Sequence, residues 1–149
     1  MKKKMMVWAM MLMVSVSTFA HTMGGVTERI IREFQKEFAG AKDVQWETGK
    51  AFVKATFTLH GQVMFAYYSN DASLLAVTRN ITTNQLPMGL LTDVKKNYAN
   101  YWISDLFEMV ADNETSYYVT LESADSRVVL KSTDSTTWQV YKKEKKNDI

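Results

Sequence analysis

The chain has no cysteine, one proline, and only six glycines scattered over 149 residues. Without thiols there is no disulfide, no thiolate nucleophile, no cysteine-bound zinc and no cysteine to acylate. The glycines form no phosphate-cradling loop, since only Gly24 and Gly25 are adjacent. Histidine is nearly missing too. His21 and His60 are the two present, and two histidines with no third make a poor zinc site. No serine stands in a Gly-x-Ser-x-Gly elbow. The acidic turns SNDAS and ADNET lack the ligand count and central glycine of a calcium loop. These absences speak against an enzyme, so no catalytic, cofactor-binding or metal-binding residue is assigned, and no cofactor is expected.

Long apolar runs are also lacking, except at the start. Lys2, Lys3 and Lys4 precede the apolar run Met5 to Val14, and Thr18 and Ala20 stand in a small-residue exit. This pattern predicts a cleaved secretory signal peptide over 1–20, because a membrane span needs roughly 20 apolar residues. Cleavage after Ala20 leaves 21–149 as a single domain in the periplasm or secreted, with no membrane attachment. The leader carries three of the eighteen basic residues and none of the sixteen acidic ones, so the remainder has a net charge of −1. A near-neutral domain lacks the basic footprint of a nucleic-acid binder. Its length suffices to bury roughly two-thirds of the unfolded surface in one core.

What is present is periodic. In VTERIIREFQKEFAG, Ile30, Ile31, Phe34 and Phe38 recur at helical spacing among charged residues, with Thr27 as N-cap and Gly40 as stop. The period then falls to two. DVQWE, AFVKATFTL, QVMFAYYS and SLLAVTRNI read as four strands. Pro87 opens a second helix, on which Leu90, Leu91, Val94 and Tyr98 repeat the earlier apolar positions sixty residues on. WISDLFEMV, SYYVTLE, RVVLK and TWQVYKK complete a second set of strands. The repeated order predicts an internal duplication of an α–β4 unit, with repeats at about 26–81 and 86–143.

The densest aromatic stretch, NYANYWISDLFEM, belongs to the joint between the second helix and its first strand. Asp105 and Glu108 stand three apart in that strand and so point to opposite faces. They cannot act on one substrate as an acid–base pair.

The adjacent pairs Tyr67-Tyr68 and Tyr117-Tyr118 put one ring on each face of the sheet. Which ring faces out depends on the turn at His60-Gly61. A two-residue loop pairs Phe57 with Met64; a three-residue loop including Gln62 pairs Phe57 with Phe65. The second gathers Leu59, Val63, Phe65 and Tyr67 on one apolar face and turns Tyr68 outward beside Lys54. On that expectation Lys54, Tyr68, Arg79 and Tyr118 form an outward sheet face suited to binding a protein. The alternative is a small-ligand binder or sensor using the crevice between helices and sheet.

The succession FxxxFxxAKDVQWE, KATFTLHGQVMFAYYS, LLAVTRNI, YWISDLFE, YYVTLE and WQVYKK resembles the PepSY-like, β-lactamase-inhibitor-like (BLIP-like) family of exported proteins of Bacteroidota. The likeness covers nearly all of 21–149, although Ser69-Asn70-Asp71-Ala72-Ser73 stands where such proteins often have an Asp-Gly-type turn. The resemblance implies an α+β fold: a curved antiparallel sheet of about eight strands with two helices packed on one face. It also implies a non-catalytic periplasmic protein that inhibits or chaperones a protein partner such as a peptidase. In that setting Asp134-Ser135-Thr136 looks like an O-glycosylation acceptor, with Ser135 as the modified residue.

Overall fold

The computed structural model describes residues 24–146; the expected signal peptide and His21 lie outside the described residues. The order is α1 (Glu28–Glu37), β1 (Lys42–Thr48), β2 (Val53–Leu59), β3 (Gln62–Tyr68) and β4 (Leu74–Asn80). A 3-10 turn (Thr83–Gln85) leads to α2 (Met88–Asn97), β5 (Trp102–Ala111), β6 (Glu114–Glu122), β7 (Ser126–Ser132) and β8 (Gln139–Lys145). All eight strands form one antiparallel sheet in sequence order. No described helix is long and apolar enough to cross a membrane.

Both helices form where the apolar stripe predicts. Thr27 caps α1, its hydroxyl accepting from the Ile30 amide at 3.3 Å. The sixty-residue offset holds in three dimensions. Ile30 and Leu90 are fully buried, and Phe34 and Val94 nearly so. Phe38 and Tyr98 end their helices alike, their amides donating to the Phe34 and Val94 carbonyls at 2.8 and 2.9 Å. The chain then turns through Ala41 N–H to Phe38 C=O at 3.1 Å and Tyr101 N–H to Tyr98 C=O at 3.0 Å.

Each helix covers its own four strands. Beneath α1 lie Val53, Ala55, Phe57, Ala66 and Tyr68; beneath α2 lie Leu106, Val119, Leu121, Val128 and Leu130. Pairing through Ala66↔Val77↔Val110 and Leu106↔Val119↔Leu130 puts both sets on one face of the sheet. Ala55 and Ala66 are directly paired and fully buried, and such small residues let α1 approach the strands closely.

The β2–β3 turn departs from the three-residue loop expected. His60 and Gly61 take φ of +50° and +79°, and the register pairs Leu59 with Gln62 and Phe57 with Met64. A two-residue turn with both central residues left-handed matches the twist of the flanking strands. Its consequence is a one-residue slip, which exchanges the faces of β3. Tyr68 therefore points into the α1 core, 1 % exposed, and not outward. Val63, Phe65 and Tyr67 share the opposite face with Lys54, Thr56 and Thr58.

Candidate protein-binding face

Neither α1 nor α2 packs against the other side of the sheet. Its central patch is aromatic. Phe107 and Tyr118, partners across β5 and β6, stack with centroids 4.9 Å apart and planes 7° apart. Tyr141 meets Tyr118 edge-on at 5.8 Å, and the Lys131 ammonium lies 5.4 Å from the Tyr118 centroid. The bulge in β8 makes this possible. Val129 pairs with Lys142 and Leu130 with Val140, leaving Tyr141 as the extra residue re-aimed toward Tyr118.

Two further lysines sit over rings on this side. Lys54 is 5.2 Å from the Phe65 centroid and 2.7 Å from Glu47. Its hydrogen bond to Glu47 holds the amine above its ordinary pKa, against the opposing effect of partial burial. Lys146 is 4.9 Å from the Trp102 centroid and 2.8 Å from Glu122. Glu122 is held below the usual carboxylate range first by Lys146 and then by Ser104. Between the halves lies a shallow depression of about 260 Å³, lined by Lys54, Phe65, Tyr67, Thr78, Asn80, Asp105 and Phe107. Cations over exposed rings contribute roughly 0.5–1 kcal/mol each. They also hold long side chains in place before any partner arrives.

Of the four residues expected on this face, Lys54 and Tyr118 are there. Tyr68 and Arg79 are not. The Tyr68 hydroxyl is buried without a hydrogen-bond partner, and burial first, then Glu37 and Glu33, pushes its pKa well above the ordinary value. Arg79 shares the helix-bearing face with Val77, and pairs with Glu108 across the seam between the halves. Its guanidinium grips the Glu108 carboxylate with two bonds, of 3.1 and 3.2 Å, and donates to Gln62 Oε1 at 3.0 Å. That bond to Glu108 raises the Arg79 pKa. Asp105 and Glu108 do take opposite faces, partnering Thr120 and Tyr117 respectively.

The residues missed by sequence reasoning are Phe65, Tyr67, Phe107, Lys131 and Tyr141. Alternation would have found the first two once the turn was set. The grouping of Phe107 with Tyr118 and Tyr141 needs three strand registers and a bulge, none of them a local signal.

Ser135 lies in the β7–β8 loop, half-buried, with φ of +62°. The preceding Asp134 carboxylate accepts from the Thr136 and Thr137 amides at 2.8 and 2.9 Å, and from the Thr137 hydroxyl at 2.7 Å. These bonds, led by Thr137, hold its pKa far below the usual range. The loop rests against α2, where a Cβ on Gly89 would come 3.4 Å from the Thr136 carbonyl oxygen.

No family model matches the chain, and no curated protein does. Solved structures do match. A BLIP-like protein of Bacteroides fragilis superposes with a TM-score of 0.70 at 20 % identity, over 82 % of this chain and 87 % of that one. A DUF2874 family protein of Bacteroides uniformis gives 0.71 at 11 % identity, over 80 % and 89 % of the two chains. A candidate periplasmic protein of Bacteroides eggerthii gives 0.70 at 11 % identity, over 80 % and 88 %. Side chains are too divergent at these identities to carry a site across, so the likeness is one of backbone. The chain has the open antiparallel α+β fold of the BLIP-like proteins.

Proposed function

We propose that this protein is an exported, non-catalytic module that binds a periplasmic protein through the outward face of its sheet, inhibiting or chaperoning it. The observation that carries this reading is the Phe107–Tyr118–Tyr141 cluster with Lys131 over it. Aromatic side chains backed by rigid strands bury large area at small entropic cost, and such clusters dominate binding energy at interfaces. Lys54, Phe65 and Tyr67 extend the same surface across β2 and β3. The signal peptide expected over 1–20, and a structural neighbour described as a candidate periplasmic protein, support the compartment. The binding test is capture of partners from a periplasmic extract by wild-type protein and by Tyr118→Ala and Tyr67→Ala. A partner retained by the wild type and lost by both variants, with melting temperatures unchanged, is the expected result. Equal capture by all three would end the proposal.

Ser135 O-glycosylation stands as a second, separate proposal, supported by the Asp134-Ser135-Thr136 order in a loop. Intact mass of protein purified from its native host should exceed the sequence mass by a glycan. The bare mass would dispose of it.

A further inference from the structure

At one end of the seam between the halves, the strand ladder stops short. β4 pairs with β5 only from Val77↔Val110 to Asn80↔Phe107. Leu74 to Ala76 therefore have β3 on one side and no strand rung on the other. The register of β4 also shifts here, between the partners of Tyr67 and Tyr68, and the extra residue displays both Leu74 and Leu75. They are 40 % and 45 % exposed, and Val110 across the gap is 38 % exposed. Together with Phe38, these side chains line a groove of about 340 Å³. Its polar rim is Glu37, Asp112 and Asn113, and none of the lining residues is lysine or arginine.

We propose that this groove docks an extended peptide segment of a partner protein, carrying one large apolar side chain flanked by lysine or arginine. Three features converge on that occupant. Where β4 has no rung toward β5, an extended chain has room to lie beside it. The aliphatic walls remove one large side chain from water. The two rim carboxylates favour a cation beside it and disfavour an acid. A peptide of about five residues spans roughly 17 Å when extended, longer than the three-residue segment from Leu74 to Ala76. A second copy of this chain fits less well, because a twofold contact would bring the Glu37 and Asp112 rims toward their own copies. The groove is distinct from the aromatic face, so its occupancy does not depend on what that face binds.

The test is an NMR titration of the purified exported protein with two capped peptides of about five residues. One has phenylalanine at the centre with lysine on either side, and the other has glutamate in place of lysine. The lysine peptide should shift the amides of Leu75, Ala76 and Ala111 and bind about tenfold tighter than its acidic counterpart. Leu75→Ser should weaken it roughly tenfold with little change in melting temperature, since nearly half of the residue is already exposed. Glu37→Gln combined with Asp112→Asn should abolish the preference for lysine, and asparagine suits the φ of +51° at 112, so the turn survives. Shifts centred on Phe107 and Tyr118, equal affinity for both peptides, or no shift at millimolar peptide would each overturn the proposal. A concentration-dependent dimer protecting Leu75 would also overturn it, by assigning the groove to a second copy.

Discussion

The two halves share a layout and differ in what fills it. The first builds its core largely from rings. Phe34 meets Phe57 at 4.9 Å and Trp46 at 5.2 Å, and Phe38 meets Phe57 at 4.8 Å. The second buries Leu90, Val94, Leu106, Val119, Leu121, Val128 and Leu130, all aliphatic. On the outward side both halves carry rings, Phe65 and Tyr67 in the first and the stacked Phe107–Tyr118 pair with Tyr141 in the second. The helices are also secured differently. α1 has the Thr27 side-chain cap; α2 starts at Pro87 with none, and is tied from across the fold by Trp138 Nε1 donating to the Leu90 carbonyl at 2.9 Å. The lesson is that the α–β4 arrangement needs apolar residues at set positions, not particular ones. Each half is then free to place its aromatic rings inside or out.

Core truncations should separate the halves most strongly. Phe57→Ala removes the ring that both Phe34 and Phe38 pack against, and should cost about 3–5 kcal/mol in urea unfolding. Leu121→Ala in the aliphatic core should cost less, about 3 kcal/mol. A larger loss at Leu121 would break the contrast drawn between the two cores.

Helix attachment comes next in size. Thr27→Ala and Trp138→Phe should each cost about 1 kcal/mol, the first by uncapping α1 and the second by removing the side-chain bond that ties the Leu90 carbonyl to the β7–β8 loop. Amide hydrogen exchange should show the first loosening α1 alone and the second α2 alone. Loosening of both helices by either change would show that the halves are not independently anchored.

Tyrosine hydroxyls make a finer comparison. Tyr101 Oη shares a hydrogen bond with Ser126 Oγ at 3.2 Å, whereas the buried Tyr68 hydroxyl has no partner. Tyr101→Phe should lose about 0.5–1 kcal/mol, while Tyr68→Phe should gain up to about 1 kcal/mol. A loss at Tyr68→Phe would mean its hydroxyl is satisfied after all.

The smallest effects concern the acids of corresponding loops. Asp71, between β3 and β4, is held below its ordinary pKa chiefly by the Ser69 hydroxyl; Asp134, between β7 and β8, is held lower by several donors led by Thr137. Depressed folded values mean that each contribution is full above the ordinary value of 3.8 and is lost as pH falls below it toward the folded pKa. Asp134→Asn should therefore lower the melting temperature at neutral pH, with the deficit shrinking toward about pH 3. Asp71→Asn should behave likewise but less. Thermal melts across that range would check both, and a pH-independent deficit at Asp134→Asn would refute the linkage.

Both helices, the order of eight strands and the duplication were legible because they rest on local periodicity. Ile30 and Phe34, and Leu90 and Val94, mark their helices by spacing alone. Lys54 and Tyr118 were legible as outward residues because their strands alternate cleanly. Tyr68 and Arg79 were not. A strand of alternating pattern reads equally well with either face inward, and β3 is apolar on both, so the turn decides.

What the amino-acid order determined unaided is the kind and succession of elements, since helical and strand periods are properties of neighbouring residues. The tertiary structure decided which side of each strand meets the helices, which rings gather as Phe107, Tyr118 and Tyr141, and where the β4–β5 ladder ends. Those outcomes depend on turn twist, register and bulges summed over several strands. No short window of sequence contains that sum.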